Sequence, residues 1–149
     1  MSPETLKACC ENLPDSLRAL NISGCRLSLS NLLVKEIYVN ASQLKELDMS
    51  DATQISGDCI EYIPAMLTSL ENLSVSRCYN IAPISYLELS KSESLRFLNV
   101  FGVLKDAALA ELRLQLSSQI VINRYKFTSI ARPTVGIKRT SIWLERVRE

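Results

Sequence analysis

The chain has 149 residues, of which 47% are hydrophobic, so it is the size of one domain and can bury a core. Its 17 basic and 16 acidic side chains nearly cancel, which gives no overall case for nucleic-acid binding. It contains no histidine, and this removes the commonest general base and the catalytic dyads and triads that use it. No apolar run reaches the length of about 18 residues that a membrane span needs.

Charge is distributed unevenly along the chain. Residues 1–123 carry 10 basic and 14 acidic side chains, whereas residues 124–149 carry 7 basic and 2 acidic ones. The sequence therefore predicts an acidic body, residues 1–123, followed by a basic C-terminal tail, residues 124–149.

The cysteines give no sign of a metal or redox site. Their number is odd, and none has the C-x-x-C spacing that is typical of zinc ligands and redox pairs. We expect all five to be reduced, buried, structural thiols of an intracellular protein, and we expect neither a metal nor a cofactor. They are Cys9, Cys10, Cys25, Cys59 and Cys78.

The first predicted element is a helix that begins at Ser2-Pro3-Glu4 and runs to about Asn12. One apolar template, L-x-x-L-x-[LIVM], then occurs four times, and its starts lie 27, 26 and 25 residues apart. Alternating apolar positions over so short a stretch predict a strand with one buried face. The four segments are Leu17–Ile22, Leu44–Met49, Leu70–Val75 and Leu95–Val100, and Ile120–Asn123 resembles a shorter fifth strand.

Helical stretches follow the predicted strands. Asn31–Val39 comes after the first strand, Pro64 should interrupt the helix of the second repeat, and Pro83–Leu89 follows the third strand. Asp106 is the predicted N-cap of a final helix, Ala107–Leu116, which carries leucines on one face.

A repeat of about 26 residues that pairs one short strand with one helix is typical of leucine-rich repeats. One unit cannot bury its strand face alone, so neighbouring units must stack. The predicted fold is α/β, a leucine-rich-repeat solenoid with parallel strands on the concave face and helices on the convex face. The initial helix is then half a repeat without a convincing polar cap, so we expect the chain to be part of a longer protein.

The strand register predicts which side chains face the concave surface. Most of them are small and polar, as an exposed sheet face should be, but two are phenylalanines. Phe97 and Phe101 are either covered by the tail or exposed as partner anchors, and both roles are compatible. The predicted concave positions are Ala19, Asn21, Ser23, Glu46, Asp48, Ser50, Asn72, Ser74, Ser76, Phe97, Asn99 and Phe101.

Three segments resemble one family closely. Leu73–Ile81, Val100–Gly102 and Phe127–Gly136, which includes Ala-Arg-Pro-Thr, are similar to the S-phase kinase-associated F-box protein family. The resemblance runs in order from about Leu17 to Trp143, and it weakens after Gly136. Members of that family are substrate receptors of SCF (Skp–cullin–F-box) ubiquitin ligases.

The resemblance implies a function and partners. The tail would fold back across the concave face, and this surface would bind a cyclin-kinase-subunit accessory protein and a phosphorylated cyclin-dependent-kinase inhibitor, in the nucleus and cytoplasm. The family's adaptor-binding F-box is absent, so we expect no adaptor binding. We also expect no membrane or nucleic-acid partner. The predicted partner-binding residues are Arg77, Tyr79, Phe97, Phe101, Arg132 and Trp143.

Other readings remain open at this point. Arg132 could pair with Glu46 or Asp48 to hold the tail rather than contact a partner, and Trp143 could serve as an apolar anchor of the tail. The chain could be a general intracellular leucine-rich-repeat scaffold outside the ubiquitin system. We expect no enzymatic activity, because Glu46 and Asp48 are typical of a solvated acidic patch and no Gly-rich phosphate loop is present.

Overall fold

The computed structural model describes residues 1–125. Its helices are α1 Pro3–Glu11, α2 Asn31–Asn40, α3 Asp58–Glu61, α4 Ile63–Met66 and α5 Asp106–Gln115, with a 3₁₀ helix at Pro83–Lys91. Its strands are β1 Ala19–Asn21, β2 Glu46–Asp48, β3 Asn72–Ser74, β4 Phe97–Asn99 and β5 Val121–Ile122. The predicted basic tail lies outside the described residues, apart from its first two positions.

The five strands form one parallel sheet in the order in which they occur along the chain. The central strand residue of each repeat pairs with its counterpart in the next, so Leu20, Leu47, Leu73, Leu98 and Ile122 lie in one row. The helices return the chain along the other side. This confirms the predicted α/β leucine-rich-repeat solenoid, including the short fifth strand.

The core lies between the sheet and the helices. Leu47, Leu73 and Leu98 from the strands meet buried helix residues such as Val34 and Ile37. Each helix packs on its neighbours along the solenoid, α1 on α2, α2 on α3 and α4, and the 3₁₀ helix on α5. Stability in such an array comes from packing between neighbouring repeats.

The helix boundaries differ from the prediction in two places. Asp106 is the first residue of α5 and not its N-cap; Lys105 takes that position and makes no side-chain cap bond. Asp106 still stabilises the helix, because a negative charge in the first turn interacts favourably with the helix dipole. The stretch after Pro83 is a 3₁₀ helix that extends to Lys91. Pro64 has the predicted effect, since the helix of the second repeat is split at Tyr62.

Two concave positions were predicted wrongly. Ser50 and Ser76 are only 4% and 2% exposed. The strands end at Asp48 and Ser74, after which the backbone turns and the alternation of exposed and buried positions stops. The two hydroxyls are buried because each accepts a backbone N–H from the next repeat. Ser76 N donates to Ser50 Oγ at 3.1 Å, and Phe101 N donates to Ser76 Oγ at 3.0 Å.

The five cysteines are all free thiols, but they are not all buried. Cys9 is exposed because α1 buries the face that carries Leu6 and Cys10, which corrects the expectation for this residue. Cys25 is half-buried. Burial raises the pKa of the Cys59 thiol to about 12 and that of the Cys78 thiol to about 11, so both are protonated at neutral pH.

Candidate functional site

The sheet face forms an open groove of about 350 Å³. Its lining is mostly polar, with amides and hydroxyls among two carboxylates. Some of these groups already bond within the sheet, since Asp48 Oδ1 accepts Ser50 N at 2.9 Å and Asn99 Nδ2 donates to Ser74 Oγ at 2.9 Å. The lining residues are Ala19, Leu20, Asn21, Glu46, Leu47, Asp48, Asn72, Ser74 and Asn99.

A row of left-handed backbone turns forms one rim of this groove. After each of the first four strands the chain passes through a positive φ, of 87° at Gly24, 64° at Asp51, 58° at Arg77 and 74° at Gly102. Glycine adopts this conformation without steric cost, whereas other residues adopt it only where the surroundings enforce it. Asp51 and Arg77 are therefore held in place by their neighbours.

An ion pair supplies part of that support. Arg77 Nε donates to Asp51 Oδ1 at 2.7 Å and Arg77 Nη2 to Asp51 Oδ2 at 2.9 Å, the two-pronged geometry that guanidinium and carboxylate favour. Their side chains are only 14% and 12% exposed. The hydrogen bonds from Arg77 hold the pKa of Asp51 below its ordinary value. A Cβ at Gly102 would lie 2.9 Å from Arg77 Cγ, so glycine there leaves room for the arginine stem.

The structure brings three of the predicted partner-binding residues to this rim. Arg77 N donates to Phe101 O at 2.8 Å, so these two residues are backbone neighbours. Phe101 is half-buried. Tyr79, in the turn that follows Arg77, is 64% exposed. The rim thus presents two aromatic side chains beside an arginine whose charge is already paired within the protein.

Phe97 lies on the groove side of β4 and is half-buried. The guanidinium of Arg124 lies 4.5 Å from the centre of the Phe97 ring and 5.2 Å from the centre of the Tyr125 ring. Both contacts are cation–π interactions, in which the aromatic ring attracts the positive charge. Arg124 and Tyr125 are the start of the predicted tail. Arg132 and Trp143, the remaining predicted site residues, lie outside the described residues.

Sequence reasoning missed Asp51 and Asn123. Asp51 lies 26 residues before Arg77, a separation of one repeat. Matching turn positions across repeats, and not only strand positions, would have paired the two. Asn123 lies where the sheet ends. Its side-chain Oδ1 accepts a hydrogen bond from Val100 N at 2.8 Å, in place of the backbone carbonyl that accepts the equivalent bond in the earlier repeats.

Two kinds of feature are absent from the part of the chain that the structure describes. Within residues 1–125, no three His, Cys, Asp or Glu side chains gather in a way that could hold a metal ion. No helix in the same range is long and apolar enough to cross a membrane.

A parallel-strand groove with a polar lining and an aromatic rim, on a leucine-rich-repeat solenoid, defines a protein-interaction module. A family model, SKP2 LRR domain, matches the whole chain, residues 1–149. The chain belongs to this family, in agreement with the resemblance seen in the sequence. It is therefore an interaction module of the SKP2 type, whose partners are proteins of the SCF system.

Proposed function

We propose that this chain is the substrate-recognition part of an SCF ubiquitin ligase receptor. It binds a phosphorylated cyclin-dependent-kinase inhibitor together with a cyclin-kinase-subunit accessory protein, and it presents the inhibitor for ubiquitination. The match to the SKP2 LRR domain over residues 1–149 carries the proposal. The chain supplies binding and no chemistry, since the transferase activity belongs to other subunits of the ligase.

The groove supports a protein partner rather than a small molecule. Small ligands bind in enclosed, mostly apolar pockets, whereas this surface is an open face about 350 Å³ in volume with polar groups along it. Amides such as Asn21 and Asn72 offer both donors and acceptors to an extended chain.

The residues of the rim have different roles. Arg77 already donates two hydrogen bonds from its guanidinium to Asp51, so its function is to hold the turn that precedes Tyr79 and lies against Phe101. Tyr79 and Phe101 are the contact residues, because aromatic side chains at the edge of a groove often contribute most of the binding energy.

The tail completes the concave surface. Residues 124–149 carry seven basic and two acidic side chains, opposite in net charge to the body. We propose that they fold back over the groove, where Arg132 pairs with Glu46 or Asp48 and Trp143 anchors the end. Phe97 lies beneath Arg124, where this path begins.

Titration calorimetry of the full chain with the accessory protein, with and without a phosphorylated inhibitor peptide, tests this function. We expect Phe101→Ala and Tyr79→Ala to weaken binding by about tenfold or more. Ile84→Ala is the matched control, because Ile84 is exposed on the 3₁₀ helix, away from the groove. Circular dichroism establishes that each variant is folded. Folded rim variants that bind as the control does would remove the rim from the site.

The alternative is a general leucine-rich-repeat scaffold outside the ubiquitin system. The two functions differ in one measurement, since a scaffold of that kind would have no affinity for the accessory protein. The proposed function also assigns the chain to the nucleus and cytoplasm, which imaging of the tagged full-length protein would test.

A further inference from the structure

The left-handed turns of the rim form one column across the first four repeats. Each turn residue follows the central strand residue of its repeat by the same number of positions, and backbone hydrogen bonds join the turns. Asp51 N donates to Ser76 O at 2.9 Å, and Arg77 N donates to Phe101 O at 2.8 Å. A change at one turn is therefore passed directly to the next. The turn residues are Gly24, Asp51, Arg77 and Gly102.

The two glycines of this column differ in their surroundings. Both have a positive φ, of 87° at Gly24 and 74° at Gly102, and this conformation alone favours glycine over any other residue. A Cβ added at Gly24 would meet no atom within 4 Å. A Cβ added at Gly102 would lie 2.9 Å from Cγ and 3.8 Å from Cδ of Arg77. Only Gly102 thus has a second reason to be glycine, the close approach of the Arg77 stem.

Arg77 cannot accommodate a side chain at position 102 by a small movement of its tip. The clashing atom, Cγ, is next to the root of the side chain, and its position is set by rotation about the Cα–Cβ bond, which has only staggered minima. The backbone of Arg77 is itself held by the hydrogen bond to Phe101 O. Rotation to another minimum would carry the guanidinium away from Asp51, where its two hydrogen bonds of 2.7 and 2.9 Å require one fixed orientation.

We propose that Gly102 is a positioning residue of the binding rim. The missing side chain at this position sets the path of the Arg77 stem across the fourth repeat, and this path directs the guanidinium back to Asp51 in the second repeat. One arginine thereby links three consecutive turns of the column. The turn of the fourth repeat decides whether the charge of Arg77 is paired within the protein or released at the rim.

The consequence reaches both contact residues of the rim. Phe101 directly precedes Gly102 and its carbonyl accepts Arg77 N, while Tyr79 lies in the turn that follows Arg77. A side chain at position 102 would disturb the turn that joins them, and it would leave an unpaired guanidinium that a partner must desolvate. The inference rests on the proposed function in so far as it takes the rim as the binding surface.

Titration of the Asp51 carboxyl group tests the contact in the full chain. Hydrogen bonds from Arg77 hold the pKa of Asp51 below its ordinary value, and the charges of Arg77 and Arg26 act in the same direction. We expect Gly102→Ala to raise the pKa of Asp51 towards its ordinary value, as followed by carbon-13 NMR. Gly24→Ala introduces a side chain at a similar φ without the contact, so it should leave this pKa unchanged. No rise in Gly102→Ala, or an equal rise in both variants, would overturn the proposal.

Thermal melting in two backgrounds separates the contact from backbone strain. Gly102→Ala should lower the melting temperature of the wild-type chain by about 3 °C or more beyond the loss that it causes in Arg77→Ala, which has no Cγ to meet. The loss in the Arg77→Ala background should match that of Gly24→Ala in the wild type. A Gly102→Ala chain that folds only together with Arg77→Ala would support the contact equally. Equal losses in both backgrounds would contradict it.

Titration calorimetry with the accessory protein and a phosphorylated inhibitor peptide tests the role at the rim. We expect Gly102→Ala to weaken binding about threefold or more, and the exposed Ile84→Ala control to bind as the wild type does. A folded Gly102→Ala variant with a raised Asp51 pKa and unchanged affinity would overturn the positioning role. A wild-type chain without affinity would instead overturn the proposed function, a result that leaves the carboxyl titration and the melting data unaffected.

Discussion

Two buried tyrosines of the core differ in a single hydrogen bond. Tyr38 donates its hydroxyl to the carbonyl oxygen of Cys59 at 2.9 Å. The hydroxyl of Tyr86 is also fully buried, but it has no hydrogen-bond partner among the described residues. A buried polar group without a partner costs about 1–3 kcal/mol, whereas a made bond contributes about 1 kcal/mol.

We therefore expect opposite effects from the same substitution at the two sites. Tyr86→Phe should raise the free energy of unfolding by about 1 kcal/mol, and Tyr38→Phe should lower it by about 1 kcal/mol. Urea denaturation measures both, provided that the m-values are equal. Equal losses from the two substitutions would mean that Tyr86 has a partner that its surroundings in residues 1–125 do not provide.

The Asp51–Arg77 pair should behave as one unit. Asp51→Asn and Arg77→Ala each remove the same two-pronged contact, so each should lower the free energy of unfolding by about 1–2 kcal/mol. The double variant should lose much less than the sum of the two. Additive losses in this double-mutant cycle would show that each side chain acts through other contacts.

The pair also has a pH signature. Arg77 lowers the pKa of Asp51 in the folded state, so this stabilisation is present above the unfolded pKa, near 4, and is lost as the pH falls through the lowered folded value. Asp51→Asn should thus differ most from the wild type at neutral pH and converge with it in acid. A difference that stayed constant down to pH 2 would contradict this account.

Among the elements, the strands were the best predicted. One apolar template repeated four times placed β1 to β4, because the same position must be buried in each stacked unit. The burial of Ser50 and Ser76 was not predicted. Exposed and buried side chains alternate only while the backbone is extended, and each strand is just three residues long. The boundary error at Asp106 arose because an acidic residue favours both the cap and the first turn.

The candidate site was less predictable than the fold. Arg77 was predicted to bind a partner because of the family resemblance, yet its side chain pairs with Asp51, one repeat away. Contacts between equivalent turns depend on the stacking of repeats, which local sequence patterns do not encode. Tyr79 and Phe101 follow adjacent strands, β3 and β4, whose parallel register brings the segments after them to the same edge of the sheet.

The strand register gives an element-scale prediction. Leu73 is fully buried in the central row of β3, whereas Ser74, the next residue, is half-buried on the groove side. Leu73→Ala should lower the free energy of unfolding by about 2–5 kcal/mol. Ser74→Ala removes one acceptor for Asn99 Nδ2 and should cost about 1 kcal/mol or less. Equal shifts in the melting midpoints would mean that the strand faces are assigned wrongly.

At the scale of the whole molecule, opposite charges separate body and tail. Residues 1–123 have four more acidic than basic side chains, and residues 124–149 have five more basic than acidic ones. Glu46 and Asp48 place two of the acidic groups in the groove. If the tail folds over this surface, as proposed, part of its attraction is electrostatic and must weaken as salt shortens the screening length, from about 8 Å at 0.15 M to about 3 Å at 1 M.

Limited trypsin digestion of the full chain measures that attraction. We expect cleavage after Lys138, Arg139 and the later basic residues of the tail to be slow at low salt and faster at 1 M salt, while the solenoid stays intact. Glu46→Gln with Asp48→Asn should speed tail cleavage at low salt. Glu61→Gln, which removes an exposed charge from α3, should leave the rate unchanged. Cleavage of the tail that is equally fast at both salt concentrations, and in all variants, would show that the groove does not hold it.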